Sequence, residues 1–183
     1  MWPTRACALA LALVVCALTA HANAAPPPPT TQFASDKQGY QLSYPAQWRR
    51  INPQKIGNAE LSLTPDADLV QTRFAILYFE DNGDGQQETD AQIEQFLLAP
   101  LKRIGEASVE SAVDSKLDQQ PARKLRISVK PGANSTAKPM VEHVVYCIHN
   151  KALYFLMIAG PTETMSEYEP GFGQIVDTFH FTK

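Results

Sequence analysis

The chain has 183 residues, with 16 Lys and Arg against 19 Asp and Glu and a formal net charge of −3. The basic residues are scattered rather than gathered in one segment, which argues against a nucleic-acid-binding protein. At this length we expect one domain, which buries roughly two thirds of its unfolded surface and folds without disulfide staples.

Residues 1–24 have the pattern of a secretory signal peptide. One positive charge at Arg5 precedes an apolar block over residues 6–18, and small residues follow, ending in Ala-Asn-Ala at 22–24. This order predicts cleavage near Ala24 and export to the periplasm or out of the cell. The block is shorter than the roughly 20 residues of a membrane-spanning helix, so we predict no membrane span in the mature chain.

The predicted signal peptide contains two of the three cysteines, Cys7 and Cys16. Only Cys147 remains after cleavage, so an exported chain has no internal disulfide and depends on core packing for its stability. Loss of Arg5 leaves 15 basic and 19 acidic residues, a net charge of −4.

Residues 25–38 begin with a proline run, which predicts an extended, semi-rigid spacer ahead of the domain. The domain itself is predicted over residues 39–183. Its first strand covers residues 39–44, where Tyr40, Leu42 and Tyr44 alternate with polar residues. A weaker strand is predicted over residues 59–63.

The segment 73–79 has apolar residues at both odd and even positions, which predicts a central strand covered on both faces. A turn-rich loop follows, and then a helix that begins with a capping box formed by Thr89 and Gln92. Pro100 is predicted to kink this helix and Gly105 to end it. Its apolar stripe consists of Ile93, Phe96, Leu97, Leu101 and Ile104.

Two further strands are predicted over residues 108–113 and 123–129, and composition predicts a loop over 130–139. Near the end of the chain a second amphipathic helix is predicted, with Pro170 in its first turn, and then a short strand over 179–181. The apolar stripe of this helix consists of Phe172, Ile175, Val176 and Phe179.

The strongest β signal is a hairpin over residues 140–159 that turns at Asn150 and Lys151. This turn predicts that Cys147 lies opposite Tyr154. Both faces of the hairpin are apolar, so we expect cover on both sides. Antiparallel strands with two amphipathic helices predict an α+β fold, an antiparallel β-sheet flanked by helices on both faces.

Two segments resemble motifs of the PsbP-related families. Residues 39–48 resemble their opening, Gly-Tyr/Phe-x-Ile/Leu-x-Tyr-Pro-x-x-Trp, and residues 172–179 resemble their ending, Phe-x-x-Ile-hydrophobic-x-Ser/Thr-Phe. The resemblance implies the α/β/α sandwich of a PsbP-like domain. It also implies binding rather than catalysis, because the known members act mainly by binding. The predicted signal peptide argues against the nuclear role found in that family.

Cys147 and His149 are weak candidates for a metal site. Because the two residues are two positions apart on a strand, their side chains lie on one face about 7 Å from each other. That separation is within reach of a shared ion. His143 would lie about 13 Å from Cys147, which is too far, and a structural zinc needs four ligands. We therefore expect Cys147 to be a buried small hydrophobe and predict no metal and no other cofactor.

Residues 80–85, Glu-Asp-Asn-Gly-Asp-Gly, resemble the first half of a calcium loop. Ala91 stands at the twelfth position, where such a loop requires a bidentate Glu. We therefore predict a turn into the helix instead. Residues 134–136, Asn-Ser-Thr, form a glycosylation sequon by pattern, which matters only in a eukaryotic host.

A serine–histidine–carboxylate site would need His143, His149 or His180, but no Gly-x-Ser-x-Gly or other nucleophile signature accompanies them. We predict no catalytic residues. The predicted function is that of an exported, non-enzymatic binding or scaffold protein acting in the cell envelope through an unidentified protein or envelope partner. The alternative is a small-ligand or metal-dependent enzyme with a cleft near the 140–159 hairpin. A concave, polar-lined pocket containing His143 or His149 would favour this alternative.

Overall fold

The structure is a computed structural model that describes residues 28–51, 59–65, 72–80, 89–133 and 135–183. The predicted signal peptide and most of the calcium-like loop lie outside the described residues. Within the described ranges, no helix is both long enough and apolar enough to span a membrane. The elements in chain order are β1 (Thr30–Ser35), β2 (Tyr40–Pro45), β3 (Arg49–Arg50), β4 (Leu61–Thr64), β5 (Arg73–Phe79), α1 (Asp90–Leu101), β6 (Gly105–Leu117), β7 (Gln120–Pro131), β8 (Met140–His149), β9 (Ala152–Pro161), α2 (Met165–Thr178) and β10 (His180–Phe181).

A small antiparallel sheet has the strand order β1-β2-β10. Its first strand lies inside the predicted spacer, so the prediction that the spacer runs to residue 38 is corrected over Thr30–Ser35. The strand pairs with β2, placing Gln32 opposite Ser43. Phe33 gives it an apolar anchor, because its ring lies 6.0 Å from that of Tyr40. Proline-rich composition alone does not reveal such an anchor.

A larger antiparallel sheet has the strand order β3-β4-β5-β9-β8-β7-β6. Strand β5 lies between β4 and β9 with Phe74, Ile76 and Leu77 buried, which confirms the predicted central strand. The β8–β9 hairpin has the predicted register, with Cys147 opposite Tyr154. Asn150 and Lys151 form its turn with φ values of 49° and 65°.

The β6–β7 hairpin is longer than the two predicted strands it contains. Its turn is formed by Asp118 and Gln119, which have φ values of 46° and 65°. A register shift between Val109 and Ser111 leaves Glu110 in a bulge. Strand β6 is one of the two edge strands of the large sheet, and most of its residues are exposed.

Two apolar clusters form the core, and each contains one of the helices. The first combines Ile93 and Leu97 of α1 with Val144 and Tyr146 of β8. The second combines residues of α2 and the small sheet with Val145 and Cys147 of β8. Successive residues of a strand point to opposite faces, so alternate residues of β8 belong to different clusters. The fold is therefore mostly antiparallel β-structure with two helices.

Helix α1 begins as predicted and ends earlier than predicted. Gln92 N donates to Thr89 Oγ1 and Thr89 N donates to Gln92 Oε1, which confirms the capping box. The helix ends at Leu101, and Gly105 begins β6 instead of ending the helix. Two residues of the predicted apolar stripe, Phe96 and Ile104, are 51% and 59% exposed, although the Phe96 ring lies 5.5 Å from that of Phe79. The buried contacts of this short helix are made by Ile93 and Leu97, one turn apart.

Helix α2 begins at Met165, so Pro170 lies inside it and not in its first turn, contrary to the prediction. A hydrogen bond from the backbone N–H of Glu167 to the carbonyl oxygen of Thr164 closes the first turn. A proline further along removes only one later amide donor. Phe172 and Ile175 are buried as the stripe predicted, and β10 matches the predicted terminal strand.

Candidate functional site

A groove of about 510 Å³ lies between α2 and the adjoining face of β6, β7 and β8; we call it the α2 groove. Its lining includes Lys124 and Arg126 of β7, His143 of β8 and Glu169 of α2. Strand alternation explains the arrangement, because residues 124 and 126 point to the same face of the sheet. The register then places Ser111 and His143 on either side of Arg126.

Gly173 of α2 opens the groove. A Cβ atom built on Gly173 would meet no atom within 4 Å, whereas one built on Gly171 would lie 2.7 Å from the Trp48 ring. Two glycines of the same helix therefore have different surroundings. Gly171 permits close packing of α2 against Trp48 and Pro45, whereas Gly173 leaves open space.

Arg126 is the centre of the charged cluster in the groove. Its Nε donates to Glu110 Oε2 at 2.9 Å, and one terminal nitrogen lies 3.4 Å from Glu169 Oε1. The same terminal nitrogen lies 2.9 Å from His143 Nε2. The hydrogen bond from Arg126 holds the pKa of Glu110 below its usual value. The guanidinium thus connects β6, β8 and α2.

His143 has one imidazole nitrogen between a cation and an anion. The side chain is only 9% exposed, and its Nε2 lies 3.1 Å from Glu169 Oε1 as well as near Arg126. Burial lowers the pKa of His143; Arg126 and Lys124 act in the same direction, and Glu169 opposes them. Since arginine can only donate, the neutral imidazole accepts at Nε2. A protonated ring would instead donate to Glu169.

The structure places Cys147 and His149 in different environments. Cys147 is 2% exposed, and burial raises the pKa of its thiol to about 12. The His149 ring stacks on Phe181 at 3.9 Å, and its Nε2 lies 2.9 Å from the Lys183 carbonyl oxygen. That contact competes with coordination of an ion. In the part of the chain that the structure describes, no three His, Cys, Asp or Glu side chains are grouped so that they could hold a metal.

The three histidines weighed for catalysis contact different groups. His143 contacts Arg126 and Glu169, and His149 contacts the end of the chain. His180 Nδ1 lies 2.8 Å from Asp118 Oδ1. Only His143 lies in the α2 groove.

Sequence reasoning missed Lys124, Arg126 and Glu169 as groove residues. A signal was present in β7, because Lys124 and Arg126 alternate with the apolar residues Leu125 and Ile127. Period-2 alternation predicts that both cations share a face. It does not predict α2 opposite them, since Glu169 is 43 residues from Arg126 in the chain.

Comparison with protein-family models and with curated protein sequences finds no match. Several solved structures are similar. PsbP of the cyanobacterium Synechocystis sp. PCC 6803, known as CyanoP, matches with a TM-score of 0.63 and 14% identity over 83% of this chain and 92% of that chain.

Two further structures come from a yeast and a mycobacterium. The Saccharomyces cerevisiae Ran-binding protein Mog1p has a TM-score of 0.57 and 7% identity over 85% of this chain and 96% of its own. LpqN, involved in cell envelope biogenesis of Mycobacterium tuberculosis, has a TM-score of 0.53 and 13% identity over 85% of this chain and 91% of its own. The chain therefore has a PsbP/Mog1-like fold, as its two sequence motifs implied.

Proposed function

We propose that the protein is an exported, non-enzymatic binding module that holds a group of its partner in the α2 groove. The observation that carries this proposal is the groove itself, about 510 Å³ in volume with both charged and apolar lining residues. Binding sites are concave, and volumes of roughly 300–1,000 Å³ are typical. The similar structures support it too, because one is named as a Ran-binding protein and another for envelope biogenesis.

Several finer features belong to the same proposal. Residues 1–24 would direct export to the periplasm or the medium, with cleavage near Ala24. The mature chain would form a single domain that includes β1. Helices α1 and α2 would flank the large sheet on opposite faces, which the division of β8 between the two core clusters supports.

One observation favours the alternative, an enzyme with a small-molecule substrate. The α2 groove has polar as well as apolar lining residues and contains His143, which the alternative predicted. Against it, the Nε2 of His143 is already engaged by Arg126 and Glu169. An imidazole in that position holds two elements together, and binding remains the function that the geometry supports best.

Affinity capture with a groove-blocked variant tests the proposal. The variant Gly173→Phe places a ring in open space above the groove, and Ser166→Phe adds the same ring at an exposed position of α2 outside it. We expect partners captured from the envelope or secreted fraction by the wild type and Ser166→Phe to be lost with Gly173→Phe. Equal capture by all three forms, each with its fold verified by circular dichroism, would reject the groove as the binding site.

A further inference from the structure

Strand β7 has three cationic residues close together in the sequence, and two of them are compensated by carboxylates. Arg123 lies 2.6 Å from Asp114 and 3.5 Å from Asp90. Arg126 contacts Glu110 and Glu169. Lys124 lies between these arginines in the sequence and lines the α2 groove, yet it forms no ion pair with any residue that the structure describes.

The neighbours of Lys124 in the sheet are apolar. Its cross-strand partners are Val113 on β6 and Val145 on β8. Val113 is 51% exposed, which is unusual among the large hydrophobic side chains that the structure describes, and it lines the groove. Val176 of α2 lines the groove as well. An uncompensated ammonium group therefore has apolar residues beside it in the sheet and on α2.

Polar groups belong to the same part of the groove. Ser115 lines it with a hydroxyl that can donate a hydrogen bond, and Lys116 is a lining residue whose side chain strand alternation directs to the face opposite Val113 and Lys124. Asp177 is the acidic residue that α2 contributes there, and no ion pair joins it to Lys116 or Lys124 among the described residues. The positive charge of Lys124 at this end of the groove is thus available to a ligand.

We infer that this end of the α2 groove binds an amphipathic anion, with its carboxylate or phosphate at Lys124 and its apolar chain against Val113 and Val176. Lysine recognises such groups as a mobile point charge with three donors. Exclusion of water by the apolar chain strengthens that attraction. The inference rests on the proposed function and names the class of ligand for the same groove.

Calorimetric titration of the protein as purified from the cell tests the ligand class. The probes are decanoate, decyl phosphate, decyltrimethylammonium and acetate. We expect decanoate or decyl phosphate to bind, and the one that binds more tightly identifies the acid group. The cation of the same chain length and the tail-less acetate should give no measurable heat.

A matched pair of lysine variants tests the position. Lys124→Gln removes the charge inside the groove, and Lys130→Gln removes one further along β7 outside its lining. We expect Lys124→Gln to weaken binding of the anion about tenfold, as the loss of one charge-assisted hydrogen bond implies. Lys130→Gln should bind like the wild type.

The inference is overturned if neither acid binds, if decyltrimethylammonium binds as tightly, or if the two lysine variants behave alike. Its failure differs from failure of the proposed function. If Gly173→Phe abolishes partner capture while no acid binds, the groove is the binding site and only the ligand class is rejected. If Gly173→Phe leaves capture intact, the proposed function itself is rejected.

Discussion

Glu142 is a carboxyl group buried among apolar neighbours. It is 6% exposed and lies on β8 between Ile127 of β7 and Ala159 of β9. Burial raises its pKa to about 7 from a usual value near 4.5. The folded chain therefore binds this proton more tightly than the unfolded chain does, so its stabilising contribution is complete below pH 4.5 and is lost as the pH rises through 7.

The variant Glu142→Gln removes this titration and retains the shape of the side chain. We expect the free energy of unfolding of the wild type, measured relative to the variant by urea titration, to fall by roughly 3 kcal/mol between pH 4 and pH 8. Parallel pH profiles for the two proteins would contradict a buried, titrating carboxyl group.

Cys147 provides a second test at the level of a single residue. Because the thiol is buried and its pKa is raised to about 12, little thiolate is accessible in the native protein. We expect a thiol reagent such as dithionitrobenzoate to react slowly under native conditions and rapidly in denaturant. Rapid reaction of the native protein would show that the hairpin does not enclose Cys147.

At the level of elements, the two glycines of α2 predict opposite effects of the same substitution. Gly173→Ala adds a methyl group to open space and improves helix propensity, so we expect stabilisation of up to about 1 kcal/mol. Gly171→Ala forces a Cβ to within 2.7 Å of the buried Trp48 ring, and we expect destabilisation of roughly 1–3 kcal/mol. Thermal unfolding of the two variants gives the comparison. Changes of the same sign would contradict the packing described for α2.

The β8–β9 hairpin could be predicted to the register, whereas the ends of the helices could not. Alternation and a two-residue turn fix which residue lies opposite Tyr154, and both signals are local. The end of α1 depends on where β6 begins, and the start of α2 depends on a turn closed by the Thr164 carbonyl. Gly105 and Pro170 were therefore assigned to the wrong positions by rules that consider one helix at a time.

The α2 groove was beyond sequence reasoning for a related reason. Alternation in β7 places Lys124 and Arg126 on one face, but nothing local places Glu169 opposite them. Strand β1 is a similar case, because Phe33 packed against Tyr40 holds it in place and composition does not predict that contact. Long-range contacts, rather than local patterns, decide both cases.

At the scale of the whole molecule, the extent of the large sheet creates the groove. Helix α2 and the small sheet share one apolar cluster with residues of β5, β8 and β9. The edge strand β6 extends beyond the part of the sheet that α2 and the small sheet cover, and most of its residues are exposed. The uncovered face of β6 and β7 beside α2 therefore becomes a concave surface with charged and apolar groups.

The central claim is that a partner binds in the α2 groove, and mapping of amide chemical shifts tests it most directly. Spectra of the protein would be recorded with and without a captured partner. We predict that the largest shifts fall at residues 111–116, 124–126 and 172–177. Shifts confined to α1, where Phe96 offers an exposed apolar side chain, would contradict the claim and place the binding surface on that helix.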